Sequence, residues 1–363
     1  MVFKKILKKP DGRDLLLYSR RPISEEITAT SPSASKLTSN PHLRWHSLRG
    51  EWVAYASHRQ NRTFLPPKEY SPLLPTKSLE FPTELPAGDY DVAVFENLFP
   101  SLYSGAHDPP DFFVPTRTGT GVCEVVVFTQ NPDTSLANLP LSHIELLIDV
   151  WGERYVEIGN LPEIKYVLPF ENKGVEVGVT LHHPHGQIYA YPFIPPVPAR
   201  EMQMEREFFE KNGKGLLEEM IQNEVAAKTR LIFETPLFAA FVPVCARYPY
   251  EVWIAPKRKV PSIDQLSAVE KKDFARSLKT VLMKYDGLWN KSFPYLMVFH
   301  QAPTDKSPHP ESHFHVEFYP PLRTESRLKF LAGTELGAGM FANDSLPEEK
   351  AKELQEVGVD IGS

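Results

Sequence analysis

The sequence predicts an α/β (α+β) chain of two similar halves, each a mostly antiparallel sheet flanked by helices. Three observations lead there. Runs such as YDVAVFENLF and VCEVVVFTQ carry the Val and Phe enrichment of buried strands. Between such runs, from Ser142 to Asn160, apolar residues recur at helical spacing. HPHGQIYAYP, beginning at His183, and HFHVEFYPP, beginning at His313, place His, His, Gln or Glu and an aromatic at matching steps, with the same order of elements around them.

At 363 residues the chain exceeds the usual size of one domain. Residues 1–40 read as a basic leader and surface linker, since 28–41, TATSPSASKLTSNP, are rich in Ser, Thr and Pro. The first half, 41–196, opens with the hairpin pattern LRWHSLRGEWVAYASH. Ile144, Leu147, Ile148, Trp151, Tyr155 and Ile158 then mark a helix from Ser142 to Asn160, with Ser142 as N-cap and Glu145 completing a capping box. Strands follow in KYVLPFENKG and VEVGVTLHHPHGQIYAYPF, and a helix from Pro198 to about Lys228. The second half, 197–363, continues with strands in LIFETPLFAAFVPV and YEVWIAPKR, a helix from about Asp264 to Trp289, and strands in PYLMVFHQA and HFHVEFYPP.

Composition narrows the function. Hydrophobic residues make up 42% and charged residues 24%, with a net charge of -6 and no long Lys/Arg run. Such a chain carries no electrostatic footprint for nucleic acid or a membrane surface. No stretch reaches the roughly 20 apolar residues of a membrane span, and MVFKKILKKPDGRD lacks the apolar core of a secretory signal, so the expected location is the cytoplasm. The two cysteines, Cys123 and Cys245, lie in apolar runs and are expected as buried, reduced thiols.

The chemistry concentrates in HHPHGQIYAY. Alternate strand residues share a face, so His183, His185 and Gln187 are expected to point the same way. A neutral imidazole is a good nucleophile toward phosphorus, and its phosphoramidate transfers readily. The same His-x-His spacing also suits half of a metal site, and spacing alone does not separate the two.

FENKGVEVGVTLHHPHGQIYAYPF, residues 170–193, resembles the active-site segment of the galactose-1-phosphate uridylyltransferases, a family of the histidine-triad superfamily. The resemblance implies two histidine-triad-like halves. It also implies that His185 attacks the α-phosphorus of UDP-glucose, releases glucose 1-phosphate, and passes UMP to galactose 1-phosphate to give UDP-galactose. Gln187 resembles the residue that bonds the phosphoryl oxygens, and Asn172, Gly178 and Thr180 those lining the uridylyl group. SHRQNRTF resembles a phosphate-neutralising segment with Arg59 and Arg62, and VFENLF places Asn97 and Phe99 beside uracil and ribose. RLKFLAGTEL resembles the stretch that contacts the hexose across the family's homodimer, through Lys329, Phe330 and Glu335.

Departures from the family pattern carry expectations of their own. Ser71 and Leu74 stand where many relatives have a zinc-binding CPLC pair, and Pro132 about where a ligand His often stands, so that zinc is expected to be absent. For the family's second metal, Glu201, His300 and His315 match, while Glu317 replaces the last His; His313 and Glu311 are substitutes. The set suits one structural zinc or iron(II) ion, and no organic cofactor is implied. An aromatic is common where Thr334 stands, and a Gln has no match near Phe341 and Asn343. This leaves a second reading, a related nucleotidylyl transferase, phosphorylase or hydrolase acting on ADP-sugars or dinucleotides, and a third, a silent nucleotide-binding protein.

Overall fold

The computed structural model describes residues 1–35, 39–61 and 65–362. The strands of its two larger sheets are β1 (Phe3–Lys8), β2 (Asp14–Ser19), β3 (His42–His46), β4 (Glu51–Tyr55), β5 (Val92–Glu96), β6 (Thr116–Thr118), β7 (Val122–Val127), β8 (Tyr166–Lys173), β9 (His185–Tyr191), β10 (Leu231–Glu234), β11 (Phe238–Phe241), β12 (Val252–Pro256), β13 (Tyr295–His300) and β14 (His315–Tyr319). Eleven of them form one sheet in the order β1-β2-β5-β7-β9-β8-β13-β14-β12-β11-β10. Its pairings are antiparallel throughout, and β3, β4 and β6 make a smaller separate sheet.

The halves meet at the β8–β13 pair. Outward from that seam the order runs β8, β9, β7, β5 on one side and β13, β14, β12, β11 on the other, so the sheet is pseudo-symmetric about it. Helix α1 (Leu141–Gly159) connects β7 to β8, and α4 (Ala268–Leu288) connects β12 to β13 in the same relative place. The two helices pack together on one face of the sheet.

Strand alternation decides what each face carries. Leu16, Val94, Val126, Ile188, Ile254, Val316 and Phe318 join Ile144, Leu147, Trp151, Phe274 and Leu278 of the helices in one buried core. Leu15, Leu17, Ala93, Phe95 and Val127 point the other way, into a second cluster with Ile27, Leu73 and Leu85. On the far half that second face is covered by α3 (Leu216–Ala227), through Leu217 and Ile221.

Several expectations are corrected. The leader is not a leader: residues 3–19 form a hairpin paired to β5, with Leu15, Leu17 and Tyr18 fully buried, because their apolar run completes the sheet. Ser142 is not an N-cap, since the helix starts at Leu141 with Pro140 before it and no side-chain cap. The capping box lies instead at α4, where Ser267 and Glu270 bond reciprocally. The helix expected from Pro198 is two, α2 (Pro196–Asn212) and α3, broken at Gly213, whose φ of 70° is left-handed. The strand expected through His182 begins only at His185. Cys123 is buried, but Cys245 is exposed in the turn after β11.

Candidate active site

His185 opens β9, whose neighbours are β7 and β8. Its Nδ1–H donates to the carbonyl of His183 at 2.6 Å, which leaves Nε2 as the free nitrogen. Gly186 makes this place possible, because a Cβ there would lie 2.9 Å from both the Phe128 ring and the Phe170 carbonyl. Burial lowers the His185 pKa, only partly offset by the bond to His183, so the ring is held neutral and its lone pair available.

His183 does not share the nucleophile's strand. Its ring is 2% exposed, bonds through Nε2–H to the Thr129 carbonyl at 2.6 Å, and is pushed by burial down to about 4. Its contribution to the site is the carbonyl that orients His185.

A cavity of about 210 Å³ lies beside His185 and Gln187, and it also brings together Arg59, Asn97, Phe99 and Thr180. Arg59 donates to the Phe99 carbonyl at 2.6 Å and to the Tyr189 hydroxyl at 3.3 Å. The Asn97 side chain accepts from the Phe99 N–H at 2.8 Å, turning the chain after β5 and leaving its amide NH2 for a ligand. Apolar walls come from Leu73, Phe95, Val125 and Leu181, and Glu84 closes one side. None of these five was singled out from the sequence; Phe95 pairs across strands with Val125, and Val125 with Gln187, so one cross-strand row carries them into the wall.

Asn172 lines a neighbouring cleft that shares Leu181 and His185 with that cavity and is also lined by His183. Gly178 ends a short 3-10 turn at a φ of 78° and lines neither space. Arg62 lies outside the described residues. Lys329, Phe330 and Glu335 line neither space in this chain. The Lys329 ammonium bonds the Ala342 carbonyl and lies 3.7 Å from Glu335, while Phe330 is 71% exposed.

The second half repeats the arrangement with different side chains. His315 Nδ1–H donates to the His313 carbonyl at 3.0 Å, and His313 bonds the Pro256 carbonyl at 2.9 Å. Ligand atoms of Glu201, His300 and His315 lie within 4.8 Å of one another. His300 donates through Nδ1 to Glu201 at 2.6 Å, and its buried Nε2 has no partner. Burial alone would lower the His315 pKa, but Glu317 and Glu201 outweigh it and raise it to about 9. Glu317 is 3.3 Å from His315 and 3.7 Å from His300, and it also bonds Arg247 and Tyr319. His313 and Glu311 do not join the group: Glu311 is paired with Arg206 and His309.

The site therefore defines a class: a duplicated sheet protein carrying a carbonyl-oriented, neutral histidine in an arginine-bearing cavity. Comparison with known proteins is specific. Residues 32–195 match the family model for the N-terminal domain of galactose-1-phosphate uridyl transferase, and 201–361 match that for its C-terminal domain. A galactose-1-phosphate uridylyltransferase of Thermotoga maritima is 40% identical over 326 residues, covering 88% of this chain and 99% of the relative. One of Haemophilus influenzae is 33% identical over 334 residues, covering 88% and 95%. A solved uridylyltransferase structure superposes with a TM-score of 0.78 at 31% identity, over 87% of this chain and 98% of that one. The chain belongs to the galactose-1-phosphate uridylyltransferase family.

Proposed function

We propose that the protein transfers UMP from UDP-glucose to galactose 1-phosphate through a uridylyl group on His185. The observation that carries this reading is the His185 ring, with Nδ1–H held by the His183 carbonyl and Nε2 left for the cavity of Arg59 and Gln187. Nε2 attacks the α-phosphorus; a P–N bond forms, the P–O bond to glucose 1-phosphate breaks, and that oxygen leaves with the electron pair. A phosphate oxygen of galactose 1-phosphate then attacks the same phosphorus, and the P–N electron pair returns to the ring. The Gln187 amide and the Arg59 guanidinium offset charge on the phosphoryl oxygens. Asn97, Phe99, Asn172 and Thr180 bind the nucleotide.

Lys329, Phe330 and Glu335 take the hexose of a second copy's site in a homodimer. Their separation from His185 within one chain favours this. Glu201, His300 and His315, with Glu317 beside them, fit a divalent zinc or iron ion, because the unpartnered His300 Nε2 and the excess of carboxylate call for a cation. Such an ion would tie α2 to β13 and β14, a structural role. No helix among the described residues is long and apolar enough to cross a membrane, and we place the enzyme in the cytoplasm.

Incubation with UDP-glucose labelled in the uridylyl group tests the mechanism. An acid-labile adduct mapping to the peptide that contains His185 is expected, and turnover without any such adduct would overturn it.

A further inference from the structure

We propose that the N-terminal hairpin is a working part of the nucleotide pocket: Lys9 and Arg13 hold the Glu84 carboxylate at the pocket wall as the acceptor for the ring N–H of the base. This rests on the reading of that cavity as a uridine nucleotide site. Residues 1–31, which carry Lys9 and Arg13, precede the region matched by the family model, while Glu84 lies within it.

Lys9 follows β1 and Arg13 precedes β2, and both are buried. The Lys9 ammonium donates to Glu84 Oε2 at 2.5 Å and to the Glu84 carbonyl at 2.6 Å. Arg13 Nη2 donates to both Glu84 oxygens, at 3.1 and 2.8 Å, and to Asp11 at 2.7 Å, and the Ser31 hydroxyl donates to Asp11 at 2.6 Å. The Lys9 and Arg13 cations also lie 4.7 and 5.9 Å from the centre of the Phe95 ring. Glu84 and Phe95 line the same cavity as His185 and Gln187. The hairpin thus fixes two wall residues of that cavity from behind.

Burying two cations and two carboxylates carries a desolvation cost that apolar side chains of similar volume would avoid, so stability alone is a poor reason for the cluster. Its charges cancel, and the wall therefore does not repel a nucleotide diphosphate. A carboxylate offers about four acceptor positions. Two on Oε2 and one on Oε1 are taken by Lys9 and Arg13, which leaves one on Oε1. Beside Leu73, Phe95, Val125 and Leu181, an apolar slot for a flat ring, such an acceptor suits the N3–H of uracil and opposes the N3 lone pair of cytosine.

Calorimetric binding of UMP and CMP to the full chain, with steady-state rates on UDP-glucose and melting temperatures, tests this. The unmodified protein is expected to bind UMP at least about tenfold tighter than CMP, and Glu84→Gln, whose amide can present either donor or acceptor, to narrow that ratio about tenfold. Lys9→Met should raise KM for UDP-glucose with a much smaller change in kcat, and Lys9→Arg should restore it. Unchanged UMP-to-CMP ratio and KM in variants that melt normally would overturn the inference while leaving the transferase reading intact. If Lys9→Met does not fold, Glu84→Gln decides alone. Failure of the unmodified protein to bind UMP would remove the nucleotide reading and this inference together.

Discussion

Gln187 and Glu317 lie on one cross-strand row of the sheet, each two residues beyond a carbonyl-bound histidine and separated from each other by Phe170 and Val298. Two residues further along β8 and β13 stand Asn172 and His300. The two halves thus share a backbone pattern and differ in their side chains: His, Gln and Asn at the proposed phosphoryl site, His, Glu and His where a cation fits. Gln187→Glu should accordingly put a negative charge against the phosphoryl oxygens and slow uridylyl transfer by about 10²–10³-fold, the size of a lost oxyanion donor. Single-turnover rates with UDP-glucose measure it, and a near-normal rate would remove Gln187 from the transition state.

Removing the nucleophile separates binding from chemistry. His185→Ala should abolish turnover and keep most UDP-glucose affinity, and His185→Gly should regain activity when free imidazole is supplied. Undiminished turnover in either variant, without imidazole, excludes the assigned residue.

The pH dependence follows from burial. A histidine with a lowered pKa stays neutral below the ordinary imidazole value, so the uridylylation half reaction should hold its rate from pH 7 down past about 6.5. A single-turnover profile that falls off at or above that value contradicts a buried neutral nucleophile. For stability the sign is set by His183, held at about 4 when folded. Between that value and 6.5 the unfolded chain binds the proton and the folded one does not, so stability falls with acidification across this window, by up to roughly 3 kcal/mol. Denaturant melts at pH 7 and 4.5 measure the drop, which His183→Ala should reduce.

Gly186→Ala is expected to cost about 1–3 kcal/mol and to impair turnover out of proportion, since the new methyl must push against Phe128 and the Phe170 carbonyl. Melting temperature and kcat together report it. An unperturbed variant would mean that this stretch of β9 has room the geometry denies.

For the second half, gently purified protein should contain about one zinc or iron per chain, and His300→Ala should lose it. Elemental analysis gives the stoichiometry, and a chelator should lower the melting temperature of the original chain but not of the variant. Equal metal content in both would dismiss Glu201, His300 and His315 as its ligands.

Much of this was legible in the sequence, for identifiable reasons. Val- and Phe-rich runs such as VCEVVVF and the three- and four-residue spacing from Ile144 to Ile158 report burial directly, and both elements formed. HPHGQ stood out because several polar groups in so short an apolar stretch need a purpose. The hairpin at residues 3–19 was missed because paired lysines interrupt its first apolar run and read as a basic leader, while LLLY, the part that pairs with β5, is short. Glu84 was missed for another reason: it reaches the cavity from an irregular loop, and its partners Lys9 and Arg13 are 75 and 71 residues away in the chain. Local pattern cannot announce a contact of that separation.

The N-terminal hairpin also has a solubility consequence. With β1 and β2 removed, Val92–Glu96 would become the outermost strand, and VAVFE is nearly all apolar with free backbone amides and carbonyls on one side. Bare strands of that kind add to one another between molecules. The segment ahead of residue 32 therefore doubles as a guard against fibril-like self-pairing, and a shortened chain would be lost from solution before its kinetics were ever compared.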